Sequence, residues 1–183
     1  MNSPSQSGST GGAASRGRLR EFSIQLAERL KAATATSNES TRLAIRIGSG
    51  VYLLDMAAAA EIVTAPEITP VPWTRPWFRG LANVRGRLVG VVDLMHLAGQ
   101  PPLATSEAQQ LLVFGESLRI NGAVLVSRAF GLRNLNDLEP LGPSPAGSPV
   151  WEAARWRDLD GNTLTELNLG ALTASEEFAT IGI

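Results

Sequence analysis

The sequence predicts a mainly β fold, a barrel or a sandwich, on three observations. Short apolar, β-branched runs of strand length recur along most of the chain. Glycine-bearing turns separate them at close intervals. No long helical period intervenes between Thr41 and the last segment, and strands in hairpin succession without long internal helices fold as barrels or sandwiches.

With 183 residues the chain suffices for one domain, or for two small lobes sharing a core. Its 16 basic and 17 acidic residues leave a net charge of -1, which gives no electrostatic reason to expect nucleic acid or an anionic membrane as partner. The absence of cysteine excludes a disulfide framework, a thiolate metal site and a cysteine nucleophile. No apolar run approaches bilayer length, no signal-peptide layout opens the chain, and a cytoplasmic protein without direct membrane insertion is expected.

Residues 1–18 hold almost nothing that burial could use to offset the entropy of ordering, and read as a disordered tail. Residues 19–35 read as an amphipathic helix, because Leu19, Phe22, Leu26, Leu30 and Ala33 recur at spacings of three and four. Such a helix covers an edge of its own domain or docks in a partner's groove. From Thr41 the period changes to that of a hairpin: Leu43 to Ile47, a Gly48-Ser49-Gly50 turn, and Val51 to Leu54. The glycines do not make a nucleotide loop, since Leu53 stands where the third glycine belongs and a strand follows. A short helical turn over Met56–Ala60 leads into a strand at Glu61-Ile62-Val63. Residues 64–77, with four prolines and the tryptophans Trp73 and Trp77, read as an irregular loop. The tryptophans fit two roles equally, partner anchors or plugs against the side of a barrel.

The most informative stretch is residues 78–97. Leu81-Ala-Asn-Val84 and Leu88-Val-Gly-Val-Val92 form a hairpin about Arg85-Gly86-Arg87, where Gly86 takes positive φ without a Cβ penalty. Asp93 is placed as the N-cap of a short helix over Leu94–Leu97, stopped by Ala98-Gly99. Beyond a linker at 100–110, Leu111–Phe114 is a strand, Gly115–Ser117 a turn, and Leu118–Val126 a strand with a bulge near Gly122. Leu125–Leu135 continues extended, and 136–149, with four prolines, reads as a second long loop. Trp151–Arg157 and Thr163–Leu169 flank a turn at Asp158–Gly161, and a final helix spans Ala171–Phe178.

Candidate chemistry is sparse. His96, the one histidine, has no second histidine for a metal and no serine elbow beside it, and reads as a helix-surface residue. Asp158-Leu-Asp-Gly161 fails as a calcium loop, because Trp156 falls at the first ligand position and Leu167 at the twelfth. Asp137 and Glu139 have no histidine or lysine to divide acid and base roles. No cofactor and no enzymatic activity are expected.

The stretch Gly80-Leu-Ala-Asn-Val-Arg-Gly-Arg-Leu-Val-Gly-Val-Val-Asp-Leu94 resembles the core signature of CheW-like domains, the adaptors that couple chemoreceptors to a histidine kinase. Glu61-Ile62 matches a Glu-Ile pair of that family. The ending, with Glu166-Leu-Asn168, a short helix, and Phe178 ahead of Ile181-Gly182, is similar to PilI-type members of twitching-motility (type IV pilus) systems. One departure is visible, since members commonly carry proline where Gly90 stands. The resemblance implies, over residues 41–183, two small five-stranded β-barrels packed around a shared apolar core. It implies a non-catalytic adaptor between a CheA-like histidine kinase regulatory domain and the cytoplasmic tip of a methyl-accepting chemoreceptor. Partner contacts are then expected at Glu61, Gly80, Asn83, Arg85 and Gly86. Arg85 on an exposed turn offers a fork of donors to a partner, or else forms a local ion pair, with Asp93 as candidate. The alternative to an adaptor is a stand-alone β-barrel that binds a small ligand or peptide.

Overall fold

The computed structural model describes residues 40–107 and 110–182; the expected tail over 1–18 and helix over 19–35 lie outside the described residues. Two six-stranded sheets account for the architecture. One contains β1 (Thr41–Ile47), β2 (Gly50–Asp55), β9 (Arg128–Asn134), β10 (Glu139–Pro143), β11 (Glu152–Arg157) and β12 (Thr163–Leu167), in the order β10-β11-β12-β2-β1-β9. The other contains β3 (Ala59–Thr64), β4 (Ile68–Thr69), β5 (Phe78–Val84), β6 (Arg87–Val92), β7 (Gln110–Phe114) and β8 (Gly122–Val126), in the order β3-β7-β8-β6-β5-β4. Pairing is antiparallel except for β12 with β2 and β6 with β8. Three short helices complete the domain: α1 (Leu94–Leu97), α2 (Leu169–Ala174) and α3 (Glu176–Ala179). Among the described residues no helix is long and apolar enough to cross a membrane.

The alternation of side chains along a strand explains how the sheets share one interior. In β7, Leu112 and Phe114 enter a large common core while Leu111 and Val113 enter a smaller one within their own sheet. In β8, Val124 and Val126 divide from Ala123 and Leu125 in the same way. The common core also takes Ile45, Ile47 and Leu54 from the first sheet, whereas Ala44, Leu53 and Leu164 of that sheet form a third cluster on its other face. Strands buried on both faces need apolar residues at every position, which is why these segments read as continuous hydrophobic runs.

Several expected boundaries are corrected. The strand placed over Leu118–Val126 begins only at Gly122; a 3-10 turn at Glu116–Leu118 and left-handed Arg119 (φ 54°) precede it. A Cβ on Gly122 would meet the Phe114 ring at 2.6 Å, so the glycine admits the aromatic side chain. The single extended stretch expected over Leu125–Leu135 is two strands in different sheets, and the chain crosses at Ser127, whose N–H donates to the Arg46 carbonyl at 2.8 Å. The loop expected over 136–149 contains β10. Its prolines Pro140 and Pro143 are tolerated because β10 is an edge strand that, among the described residues, pairs with β11 alone. Likewise the 64–77 loop carries the edge strand β4, Ile68 and Thr69 pairing with Ala82 and Leu81. The final helix is two, because Ser175 adopts extended backbone and its Oγ accepts from Phe178 N at 3.3 Å, restarting the helix as α3.

Candidate functional site

The hairpin of β5 and β6 is in register from Gly80 and Val91 to Val84 and Arg87, which leaves a two-residue turn. Arg85 and Gly86 both have positive φ, 51° and 83°. A type I′ turn requires this at both positions, and it matches the twist of the strands. Glycine meets that demand freely. An arginine does not, so Arg85 is held in a sparsely populated conformation, locked by the Gly86 N–H donating to Asn83 Oδ1 at 2.8 Å.

Arg85 projects into solvent, its side chain 78% exposed, and its Nη2 lies 3.1 Å from Oε2 of half-buried Glu61 on β3. The expected local ion pair of Arg85 therefore exists, but the candidate Asp93 is corrected to Glu61. Asp93 sits at the far end of β6, about 20 Å along the strand at the usual rise per residue. There it is fully buried and caps α1, Oδ1 accepting from His96 N at 3.2 Å. Its Oδ2 accepts from Leu103 N at 2.9 Å and pairs with Arg79 Nη1 at 3.2 Å.

Gly80 is buried, with φ 129°, and a Cβ there would lie 2.1 Å from the Thr69 carbonyl oxygen. Its role in the site is to let β4 lie close over β5. Gly86 faces open space. Glu61, Asn83, Arg85 and Gly86 thus gather at one end of the second sheet, with Gly80 beneath the neighbouring strand. Gly90, where proline is common in the family pattern, donates its N–H to the Asn121 carbonyl at 2.9 Å and would crowd the Phe78 ring if it bore a Cβ. Proline would forfeit that bond.

The sequence reading missed Leu88. It stands opposite Asn83 and is 59% exposed, beside a shallow cleft of about 470 Å³ lined by Pro66, Glu67, Thr69, Leu81, Asn83 and Leu88. The signal was present, because strand alternation puts Leu88 on the face of polar Asn83 and Val89 inside. His96 is half-buried at a different cleft, of about 710 Å³, with Arg75, Trp77 and Glu177. Among the described residues no group of three or more His, Cys, Asp or Glu is placed to hold a metal ion. The carboxylate of Asp158 accepts chiefly from Asn162 Nδ2, and also from Asn162 N and Asp160 N, which holds it below its usual value.

The site is thus an exposed arginine turn at the end of one of two six-stranded sheets that pack around a common core, in a mainly β domain. The chain belongs to the CheW-like domain family, whose model matches residues 41–177. It is 27% identical over 114 residues to Protein PilI of Pseudomonas aeruginosa, a match covering 60% of this chain and 64% of PilI. The chain thus spans somewhat under two thirds of that relative's length. The fold is similar to the crystal structure of the scaffolding protein TtCheW from Thermoanaerobacter tengcongensis, with TM-score 0.61 and 19% identity over 75% of this chain and 94% of that one.

Proposed function

We propose that the chain couples a CheA-like histidine kinase, through its regulatory domain, to the cytoplasmic tip of a methyl-accepting chemoreceptor, in a system that controls type IV pilus twitching. The observation that carries this reading is the match of residues 41–177 to the CheW-like domain, and the similarity to PilI supports the pilus assignment. The adaptor works in the cytoplasm by contact alone. Arg85 is its central contact residue: an exposed guanidinium on a conformationally fixed turn gives directional donors at little ordering cost. Asn83 and Gly86 keep the turn in shape, Glu61 aims the guanidinium, and Gly80 seats β4 so that Leu81 and Leu88 supply apolar surface beside it.

The test is retention on the immobilised full chain. A kinase regulatory domain and a receptor tip should both be held, neither displacing the other, and Arg85→Ala should release one of them. Retention of neither fragment would refute the adaptor reading, and competition between them would replace two surfaces with one.

A further inference from the structure

Among the described residues the first sheet ends on β9, and that edge has an unusual charge arrangement. In the β1–β9 register Arg42 stands directly opposite Arg133, and Arg46 directly opposite Arg128. Like charges in cross-strand pairs repel and destabilise the pairing. Arg42 is compensated, its Nε bonded to Glu166 Oε1 at 3.1 Å. Arg133 lies within electrostatic reach of Asp158, which lines the same cleft together with Asp160. Arg46 lines that cleft too, but among the described residues neither it nor Arg128 forms an ion pair there. Their guanidinium carbons lie 5.3 and 5.8 Å from the centre of the Phe130 ring. Arg46, Arg128 and Arg133 are all exposed, and Leu132 between the latter two is 56% exposed.

An edge strand exposes backbone donors and acceptors to any strand that can lie beside it. Here the charges discriminate among candidates. A second copy pairing antiparallel through β9 would gather Arg128 and Arg133 of both copies along one seam, a further like-charge repulsion beside those within the sheet. A strand bearing carboxylates would relieve the unpaired Arg46–Arg128 repulsion and add a partner for exposed Arg133. We propose that the β9 edge is a docking site for an extended acidic segment of a partner protein, with carboxylates at i and i+4 engaging Arg133 and the Arg46–Arg128 pair. The spacing follows from β1, where the residues facing Arg133 and Arg128 are 42 and 46, the extra residue of β9 being absorbed at the bulge by Phe130 and Gly131. The Ala129 N–H is already taken by Gln110 Oε1 at 3.0 Å, so the ladder runs along Phe130–Asn134, and the carboxylate aimed at the Arg46–Arg128 pair reaches it through its side chain. This site lies in the sheet opposite to the Arg85 hairpin and does not rest on the role proposed for that hairpin.

The test uses the full chain and two fluorescein-labelled peptides of alternating threonine and valine, one with Glu at i and i+4 and the other with Lys there. The Glu peptide should bind about tenfold tighter than the Lys peptide, falling toward equality at high salt. The doubly substituted Arg128→Glu, Arg133→Glu chain should reverse the preference, a gain of binding that an unfolded protein does not produce. Amide exchange should slow on Glu-peptide binding within Phe130–Asn134. Equal binding of the two peptides, an unreversed preference, or slowing confined to other strands would overturn the proposal. Self-association of the unmodified chain through β9, seen as dimer-dependent exchange protection there, would overturn it as well.

Discussion

Arg85 and Glu61 meet at 3.1 Å although their strands are not ladder neighbours. In the order β3-β7-β8-β6-β5-β4, Glu61 belongs to one edge strand and Arg85 to the turn joining β6 and β5. The ion pair is possible only because the sheet curls on itself around Ala82, Val84, Val89, Leu111 and Leu125, as expected of a small barrel.

Replacing Arg85 by glycine separates contact from stability. The exposed ion pair contributes about 0–1 kcal/mol, and relief of the left-handed conformation returns about 1 kcal/mol. Arg85→Gly should therefore melt within a few degrees of the parent protein while losing kinase or receptor affinity. A large drop in Tm would show that the turn arginine is structural.

Asp93→Ala should be far more damaging than loss of an ordinary helix cap. It orphans the N–H groups of His96 and Leu103 and strips Arg79 of its buried partner. A cost of about 3 kcal/mol or more is expected, read as a fall in the urea midpoint at unchanged m. Asp93→Asn, which retains an acceptor for the cap, should fall between the two.

The hairpins and the double-sided strands were legible because their information is local: Gly48 and Gly86 mark turns, and the apolar runs of β7 and β8 mark burial on both faces. The cap at Asp93 was equally local, a side-chain acceptor before an apolar turn. What escaped was set by distant partners. Pro140 and Pro143 argue for a loop until β11 supplies the edge that makes β10 tolerable, and the β4 strand between Pro66 and Pro70 depends on Gly80, which admits it. The Arg85–Glu61 pair depends on how the sheet curls, which no stretch of sequence encodes alone. Arg85 in the left-handed region is not legible from one neighbouring glycine, because a two-residue I′ turn makes the demand of positive φ twice.

Tyr52 offers a clean titration, since it is the one tyrosine of the chain. Burial, then the nearby Glu152 carboxylate that accepts its hydroxyl hydrogen bond, pushes its pKa from 10.0 up to about 12. The folded form thus releases the proton later than the unfolded form. The associated stability is fully present below pH 10 and is lost as pH rises from 10 through about 12. Absorbance of the phenolate should show a midpoint near 12 in the native protein and near 10 in urea. Coincident midpoints would contradict the burial of the hydroxyl.

Two glycines separate steric from conformational cost. Gly80→Ala drives a methyl into the Thr69 carbonyl as well as the unfavourable φ, and should cost about 2–4 kcal/mol with loss of the β4–β5 pairing. Gly86→Ala meets no atom and pays for φ alone, about 1 kcal/mol. Exchange protection at Ala82 should fall in the first variant and persist in the second.

The two tryptophans of the proline-rich loop should behave as opposites. Trp77 is 8% exposed and stacks on Phe178 at a centroid distance of 6.1 Å, so it plugs the common core. Trp77→Ala should cost about 3–5 kcal/mol. Trp73, five-sixths exposed at 83%, is held out on left-handed backbone with φ 61°. The loop beneath it is fixed, Thr74 Oγ1 donating to the Val71 carbonyl at 2.7 Å and Arg75 N–H to the Ile181 carbonyl at 2.8 Å. Trp73→Gly should leave stability unchanged or raise it by up to about 1 kcal/mol, because it removes strain and no packing. Acrylamide should quench a red-shifted emission component that disappears in Trp73→Phe and persists in Trp77→Phe. Loss of that component in the Trp77 variant alone would reverse the assignment of the two rings.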